Sequence, residues 1–442
     1  MRDILLLTII AGLAAIAIRR PFAGLLAWAW FSIMTPHQLA YGVYGIPLNV
    51  VLACATLIGF ALTRELWRIR FDPVIISMAA FTGWLVVAQY FSLNPEHSAP
   101  FADRFIKTLV FATLCGLLAT TRLRLHALIW ILAVGVGFFA AKGALFTVAT
   151  FGEFRVQGLP GTVIEDNNHF AIAVATCLPL MLYLRSQAKH AWLRAVLLAV
   201  FALSIFAIIG THSRGGLIAL GVFAVAFWMR SRKKLALAAA LALLLFPATA
   251  FMPSKWSQRM STIAEAGSDE SFQGRVDAWV INWKLAKENP ITGGGLRNSY
   301  LPEIAADVDL ERAESARAAH SIYFETLGGA GFVGLALFFW MLLAAFSALS
   351  KAINETQQKD DDWRPQLARA LQVCLLVFCV GGASVSMEMW DGYLIIIGLA
   401  SALAALTRNQ LARTAAPAGQ KRFRQTVSMA TSPGHSRLSL RR

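Results

Sequence analysis

Charge is scarce in this sequence, and acidic charge scarcer still. Of 442 residues, 15% are Asp, Glu, Lys or Arg and 57% are hydrophobic, with a mean hydropathy of +0.58. Soluble globular chains carry about 25% charged residues, so composition excludes that class and implies a polytopic membrane protein. Cysteine is also sparse. The five present (Cys54, Cys115, Cys177, Cys374 and Cys379) all lie within apolar runs, which excludes a disulfide framework and any zinc-type spacing and leaves them as small core residues. No His-x-x-x-His pairing supplies a metal site, so no metal or cofactor is expected. The net charge of +15 is no signature of nucleic acid, because the cations gather in short connections and in the tail.

What is present is a succession of apolar runs. They cover residues 4–18, 22–34, 48–63, 73–92, 105–121, 126–149, 168–185, 194–211, 215–229, 234–251, 322–349, 368–386 and 391–407. About 20 apolar residues cross a bilayer as a helix, and lipid admits helices because their backbone pairs internally. The basic connections 64–70, 122–124, 185–194 and 230–234 fall on every second loop, which places them in the cytoplasm. The alternate loops, 35–47, 93–104, 150–167, 211–214, 252–321 and 387–391, then face outward. The expected fold is therefore all-α: a transmembrane bundle of about twelve spans, or thirteen if the first two runs count separately. The first run follows Arg2 and contains Ala15-Ile16-Ala17, but Arg19-Arg20 and another apolar run come at once, so it reads as a membrane segment. Four regions follow: an N-terminal bundle (1–251), a polar, partly helical loop (252–321), C-terminal spans (322–407) and a basic, disordered cytoplasmic tail (408–442) attracted to anionic lipid. Asp360-Asp361-Asp362 reads as part of a solvated connection, since neighbouring acids on one element do not converge on an ion.

The polar loop is where chemistry is expected. Val276, Trp279, Val280 and Trp283 share one face of an amphipathic helix over 274–288, with Arg275 at its start. Asn289-Pro290 stops it, and Gly293-Gly294-Gly295 makes a turn able to pass close to a ligand. A second polar helix over 302–319 delivers His320 to the mouth of the next span, with Ser321 as its N-cap. Such a histidine is a structural residue or one that accepts a proton from a hydroxyl. Arg214, in Ser213-Arg214-Gly215-Gly216, falls at the outer end of a span and the N-terminus of the next helix. That is a setting for a phosphate or, alternatively, for a headgroup contact. Lys142 lies within an apolar run, where a charge needs a partner, a task or a path to the surface. Arg155 to Pro160 leads to Glu165-Asp166-Asn167-Asn168-His169 at the mouth of the seventh run, a cluster suited to sugar hydroxyls or to orienting a cation.

The order of these motifs is itself informative: Ser-Arg-Gly at the outer end of a middle span, a long outer loop with Gly-Arg and a nearby Trp, a Gly-rich turn, then Ala319-His320. In this order the chain resembles the bacterial O-antigen ligase and polymerase superfamily over about Lys142 to Gly334. Arg155-Val156-Gln157-Gly158 and Glu165-Asp166-Asn167-Asn168 resemble the branch of exosortase-associated O-glycosylation ligases. Ser321 stands where the family commonly has Asn. The resemblance implies a glycosyltransferase of the bacterial inner membrane. It would move a glycan from undecaprenyl pyrophosphate to an acceptor hydroxyl at the periplasmic face, the acceptor of ligases being lipid A–core. Arg214 and Arg275 match the family's pyrophosphate-binding arginines and His320 its essential histidine. Lys142, Arg155, Asp166, Asn167, Asn168 and Trp279 are further substrate contacts expected here. Two guanidiniums can neutralise a diphosphate without a metal, and inversion at the anomeric carbon would follow. A polymerase, an O-glycosylation ligase with another acceptor, and a flippase of lipid-linked sugars are the competing readings. A flippase is disfavoured because no paired, interrupted segments occur.

Overall fold

A computed structural model describes residues 1–39, 41–43, 45–63, 65, 69–231, 233–261, 270–356 and 363–415. The Asp360–Asp362 run, most of the basic tail and residues 262–269 of the polar loop lie outside the described residues. Among those described, the chain is all-helical, with no strand. The helices are α1 (Arg2–Arg19), α2 (Pro21–Met34), α3 (Leu48–Leu62), α4 (Pro73–Tyr90), α5 (Pro95–Leu118), α6 (Arg122–Ala149), α7 (Asn167–Gln187) and α8 (Ala191–Gly210). They continue with α9 (Arg214–Arg230), α10 (Lys234–Ala250), α11 (Ser254–Ser261), α12 (Glu270–Glu288), α13 (Pro302–Val308), α14 (Ile322–Asn354), α15 (Trp363–Gly382) and α16 (Asp391–Ala415). The first part of the expected tail, residues 408–415, is thus the end of α16.

Local chemistry sets many of the starts. Pro21, Pro73 and Pro95 occupy first helical turns, where the missing N–H costs nothing. Asp72, Thr121, Asp166 and Ser213 cap α4, α6, α7 and α9 through side-chain oxygens, satisfying otherwise orphaned N–H groups.

Among the described residues, seven helices are long and apolar enough to cross a membrane: α4, α6, α7, α8, α14, α15 and α16. The other apolar runs form helices too, but shorter or more charged ones. α2 has 14 residues, α3 has 15, α9 and α10 have 17 each, and α5 carries Glu96, Asp103, Arg104 and Lys107. The core centres on α7, buried along most of its length and packed against α8, α9 and α15.

The bundle has two chemically distinct ends. At one, cations tie the helices together: Arg70 donates to Gly116 O (2.8 Å), Arg124 pairs with Glu65 (3.2 Å) and Arg230 donates to Arg369 O (3.1 Å). At the other, the alternate connections interlock. Val156 N–H donates to Gly210 O (3.0 Å), Asn298 donates to Ser92 Oγ (2.9 Å), and Arg297 donates to Ser386 O (3.3 Å).

The polar loop departs from the expected form in three ways. First, α12 buries Ala278, Ile281, Asn282 and Leu285 rather than the predicted stripe, leaving Trp283 44% exposed. The aromatic stripe instead grazes α14, with Trp279 stacked on Phe324 (5.3 Å) and Trp283 edge-on to Phe332 (5.7 Å). Second, the helix expected over 302–319 is three pieces: α13, a 3-10 turn (Leu310–Ser315) and an extended strap to Ser321. Asp309 takes ion pairs from Lys284 (2.9 Å) and Arg312 (2.9 Å), and Arg312 also pairs with Asp277 (3.1 Å), which fastens the turn to α12. Third, the backbone that the glycine turn approaches is that of α14. Gly294 N–H donates to Gly328 O (2.8 Å) and Phe332 N–H to Pro290 O (2.9 Å). At the break, Gly331 has φ 72°, and Trp84 Nε1 donates to Ala330 O (2.9 Å). The backbone groups freed by the kink are thus re-paired, as a buried backbone requires.

Candidate active site

His320 ends the strap. Its backbone is left-handed, with φ 46°, a conformation a side-chain-bearing residue holds only when its surroundings impose it. Here they do. His320 N–H donates to Ser386 Oγ (3.0 Å), and Ala319 N–H donates to Glu325 Oε1 (2.8 Å). Trp279 Nε1 donates to Ala319 O (2.7 Å). Ser386 Oγ (2.6 Å) and Tyr300 OH (2.7 Å) also donate to Glu325 Oε1, so that one oxygen gathers three donors. Ser321 occupies the N-cap position of α14, but its side chain makes no cap hydrogen bond.

Beneath the strap lies a buried ion network. Arg297 pairs with Glu388 (2.7 Å) and more loosely with Glu325 (3.9 Å), and its guanidinium sits over Tyr300 and Phe101. Burial opposes its charge, but Glu388 and Glu325 outweigh that and hold the guanidinium firmly protonated. Burial, with the cation of Arg275 beside it, pushes the His320 imidazole down to about 4. The ring is therefore neutral at physiological pH and able to accept a proton.

The residues named from sequence divide into groups. Arg275 Nη1 donates to Ser384 O (3.3 Å). Arg214 opens α9, whose neighbouring Gly215 abuts the Ser384 side chain, while Gly216 abuts Ala171. The glycines thus let α9 approach both the Ser384 turn and α7. Together with the Ser386 contact to His320, this brings Arg214, Arg275 and His320 around one turn, residues 383–386. Asp166 and Asn168 belong to the same end of the bundle. Asp166 caps α7, Asn168 accepts from Ser213 Oγ (2.8 Å), and buried Asn167 donates to Thr211 O (2.8 Å). These contacts tie α7 to the turn carrying Arg214. Trp279 is engaged by the strap and Phe324, as described. Lys142 and Arg155 lie apart, both exposed on the wall of a cavity of about 760 Å³ with Phe138, Phe139, Phe146 and Gln38.

Sequence reasoning missed Arg297, Tyr300, Glu325, Ser386 and Glu388. A signal existed for the acids, since Glu325 opens an apolar run and Glu388 separates two. The rule that drew attention to Lys142, that a charge in an apolar setting needs a partner, applies equally to them. Among the described residues, no group of three or more His, Cys, Asp or Glu side chains is arranged to hold a metal ion.

Comparison with known families divides the chain in two. Residues 1–190 match a "Family of unknown function (DUF5935)", and residues 199–339 match the family described as "O-Antigen ligase". No curated protein matches the chain. The second match contains Arg214, Arg275, Arg297, His320 and Glu325, while Lys142, Arg155 and Asp166 to Asn168 fall in the first. Residues 199–339, which carry Arg214, Arg275 and the histidine strap, are thus similar to the O-antigen ligase family, and this match supports a place in that superfamily.

Proposed function

We propose that the protein transfers a glycan from undecaprenyl pyrophosphate to a hydroxyl of lipid A–core, at the periplasmic face of the bacterial inner membrane. The observation that carries this reading is the turn 383–386, around which Arg214, Arg275 and the His320 strap are gathered. The two guanidiniums supply the positive charge that a departing diphosphate needs, in a partly desolvated place where such charge is most effective. His320, neutral and held by its backbone, takes the proton of the acceptor hydroxyl as that oxygen attacks the anomeric carbon. The new carbon–oxygen bond forms as the bond to the diphosphate oxygen breaks, and the diphosphate leaves with the electron pair. Attack opposite the leaving group inverts the carbon.

The cavity holding Lys142 and Arg155 combines aromatic walls with two cations, a lining that suits an anionic amphiphile such as the lipid-linked donor. In this reading the shorter apolar helices complete a bundle of about twelve spans, with the polar loop outside. The interlocked end faces the periplasm and the cation-tied end the cytoplasm, in keeping with the bias of basic connections toward the cytoplasm. The 155–158 and 165–168 motifs keep an O-glycosylation acceptor in view.

The test is reconstitution of purified protein with a lipid-linked glycan and either lipid A–core or a second lipid-linked glycan. A single product with lipid A–core supports the ligase. A ladder lengthening with time from the second mixture identifies a polymerase, and donor crossing vesicles with no bond formed identifies a transporter. His320→Ala should lower turnover by about 10²–10⁴-fold, the usual contribution of a positioned base; full activity in that variant would remove the proposed mechanism.

A further inference from the structure

A second histidine stands beside the first. The ring of His169, in the first turn of α7, is edge-on to that of His320 with centroids 6.4 Å apart. Its Nδ1 lies 2.8 Å from the carbonyl oxygen of Val163. A carbonyl can only accept, so Nδ1 carries the proton and Nε2 is left with the lone pair. That Nε2 is buried and has no hydrogen-bond partner. Three neighbours share its condition: His320 Nδ1, Arg297 Nε and Glu388 Oε2. Eight buried side-chain atoms lack a partner among the described residues, and half of them meet here. Leaving such an atom unsatisfied is unfavourable, because its lost hydration is not replaced. Four lie at one end of the bundle, near the arginines proposed to hold the donor, where a polar ligand would satisfy them.

The mixture identifies the ligand's chemistry. His169 Nε2 and Glu388 Oε2 accept hydrogen bonds, whereas Arg297 Nε donates one. Phosphate oxygens only accept, and would meet a lone pair and a carboxylate. Sugar hydroxyls both donate and accept, and match the set. We propose that His169 Nε2 is an acceptor-side contact, taking a hydrogen bond from a hydroxyl of the incoming saccharide next to the hydroxyl that His320 activates. This inference rests on the glycan-transfer reading and deepens it: a polyhydroxylated sugar, rather than an anionic group, occupies this side of the site.

The two nitrogens of His169 can be tested separately. Asn reaches the Nδ1 position and can still donate to Val163 O, but places nothing at Nε2. Gln reaches the Nε2 position with an amide oxygen. With lipid A–core as acceptor, His169→Asn is expected to raise the acceptor KM about tenfold or more, a step typical of one lost buried hydrogen bond, while the donor KM stays unchanged. His169→Gln should recover part of the loss. An unchanged acceptor KM in His169→Asn would show that the ring merely anchors the loop through Val163, and would overturn the proposal. As a check that needs no variant to fold, ¹⁵N-histidine NMR of the wild-type protein should show the Nε2 resonance of His169 moving when lipid A–core is added. A resonance that stays put while lipid A–core is converted also overturns it. Absence of any product from wild-type protein with either acceptor is a different outcome, and counts against the transfer reading itself.

Discussion

Ser386 holds His320 by its backbone and not by its ring. The serine oxygen accepts His320 N–H at 3.0 Å and gives its own proton to Glu325 at 2.6 Å. The imidazole takes no part in this anchoring, so it can be fixed in place and still be available for chemistry. A short relay from α14 through the 383–390 connection thus imposes the left-handed backbone of His320.

Removing that relay should misplace the histidine without touching its ring. Ser386→Ala leaves a buried N–H without its acceptor and Glu325 one donor short, a loss of about 1–3 kcal/mol. We expect a lower melting temperature and a fall in kcat larger than any rise in KM, whereas Ser386→Thr, which keeps the hydroxyl, should retain most activity. Calorimetry and initial-rate assays on the same preparations check both.

The acid limb of activity should reflect His320. Its folded-state value of about 4 lies below the ordinary 6.5, owing first to burial and then to Arg275. The proton-accepting neutral form therefore predominates above about pH 4, and transfer falls as pH drops through that value. The same shift makes stability decline as pH falls from 6.5 towards 4, because the unfolded chain binds the proton more readily. Arg275→Gln removes the second cause and should move the acid limb to higher pH, which a pH–rate profile of kcat reads directly. A limb that stays in place would separate Arg275 from His320.

Lysine should not replace arginine on the donor side. Arg275 spends Nη1 on Ser384 O and so directs its planar fork, which a single ammonium cannot reproduce. Arg275→Lys and Arg214→Lys are each expected to lower kcat/KM for the lipid-linked donor by about 10–100-fold, as loss of a charge-assisted contact implies. The acceptor KM should change little.

The glycine turn should tolerate no side chain. Gly293 has φ 70° and lies against the backbone of Ala330 and Gly331, where α14 is broken. Gly293→Ala adds a left-handed penalty of about 1–2 kcal/mol to that collision. A lower melting temperature is expected, together with greater protease sensitivity of the polar loop, measured by limited digestion.

Much of this protein could be read before any fold was known. Apolar runs marked nearly every apolar helix, because period and hydropathy are local properties. The gathering of Arg214, Arg275 and His320 at one end of the bundle was anticipated from the order of motifs. The buried face of α12 was not, because Trp279 and Trp283 look like core residues in one dimension yet lie along α14, while small Ala278 and polar Asn282 take the close contact. Nor was the broken form of 302–319, whose 3-10 turn is fastened to α12 by ion pairs from residues distant in the chain.

Composition determined that this chain belongs in a membrane, and the order of apolar runs, short basic connections and one long polar loop pointed to that loop as the place to seek chemistry. Tertiary structure decided which polar residues meet. Arg297 with Glu388, Ser386 with His320, and His169 with His320 are each separated by tens of residues or more in the chain. No periodicity reports such pairings, because they arise from the way helices cross and loops interlock. A buried charge becomes tolerable only when a partner is delivered from elsewhere, and the fold is what delivers it.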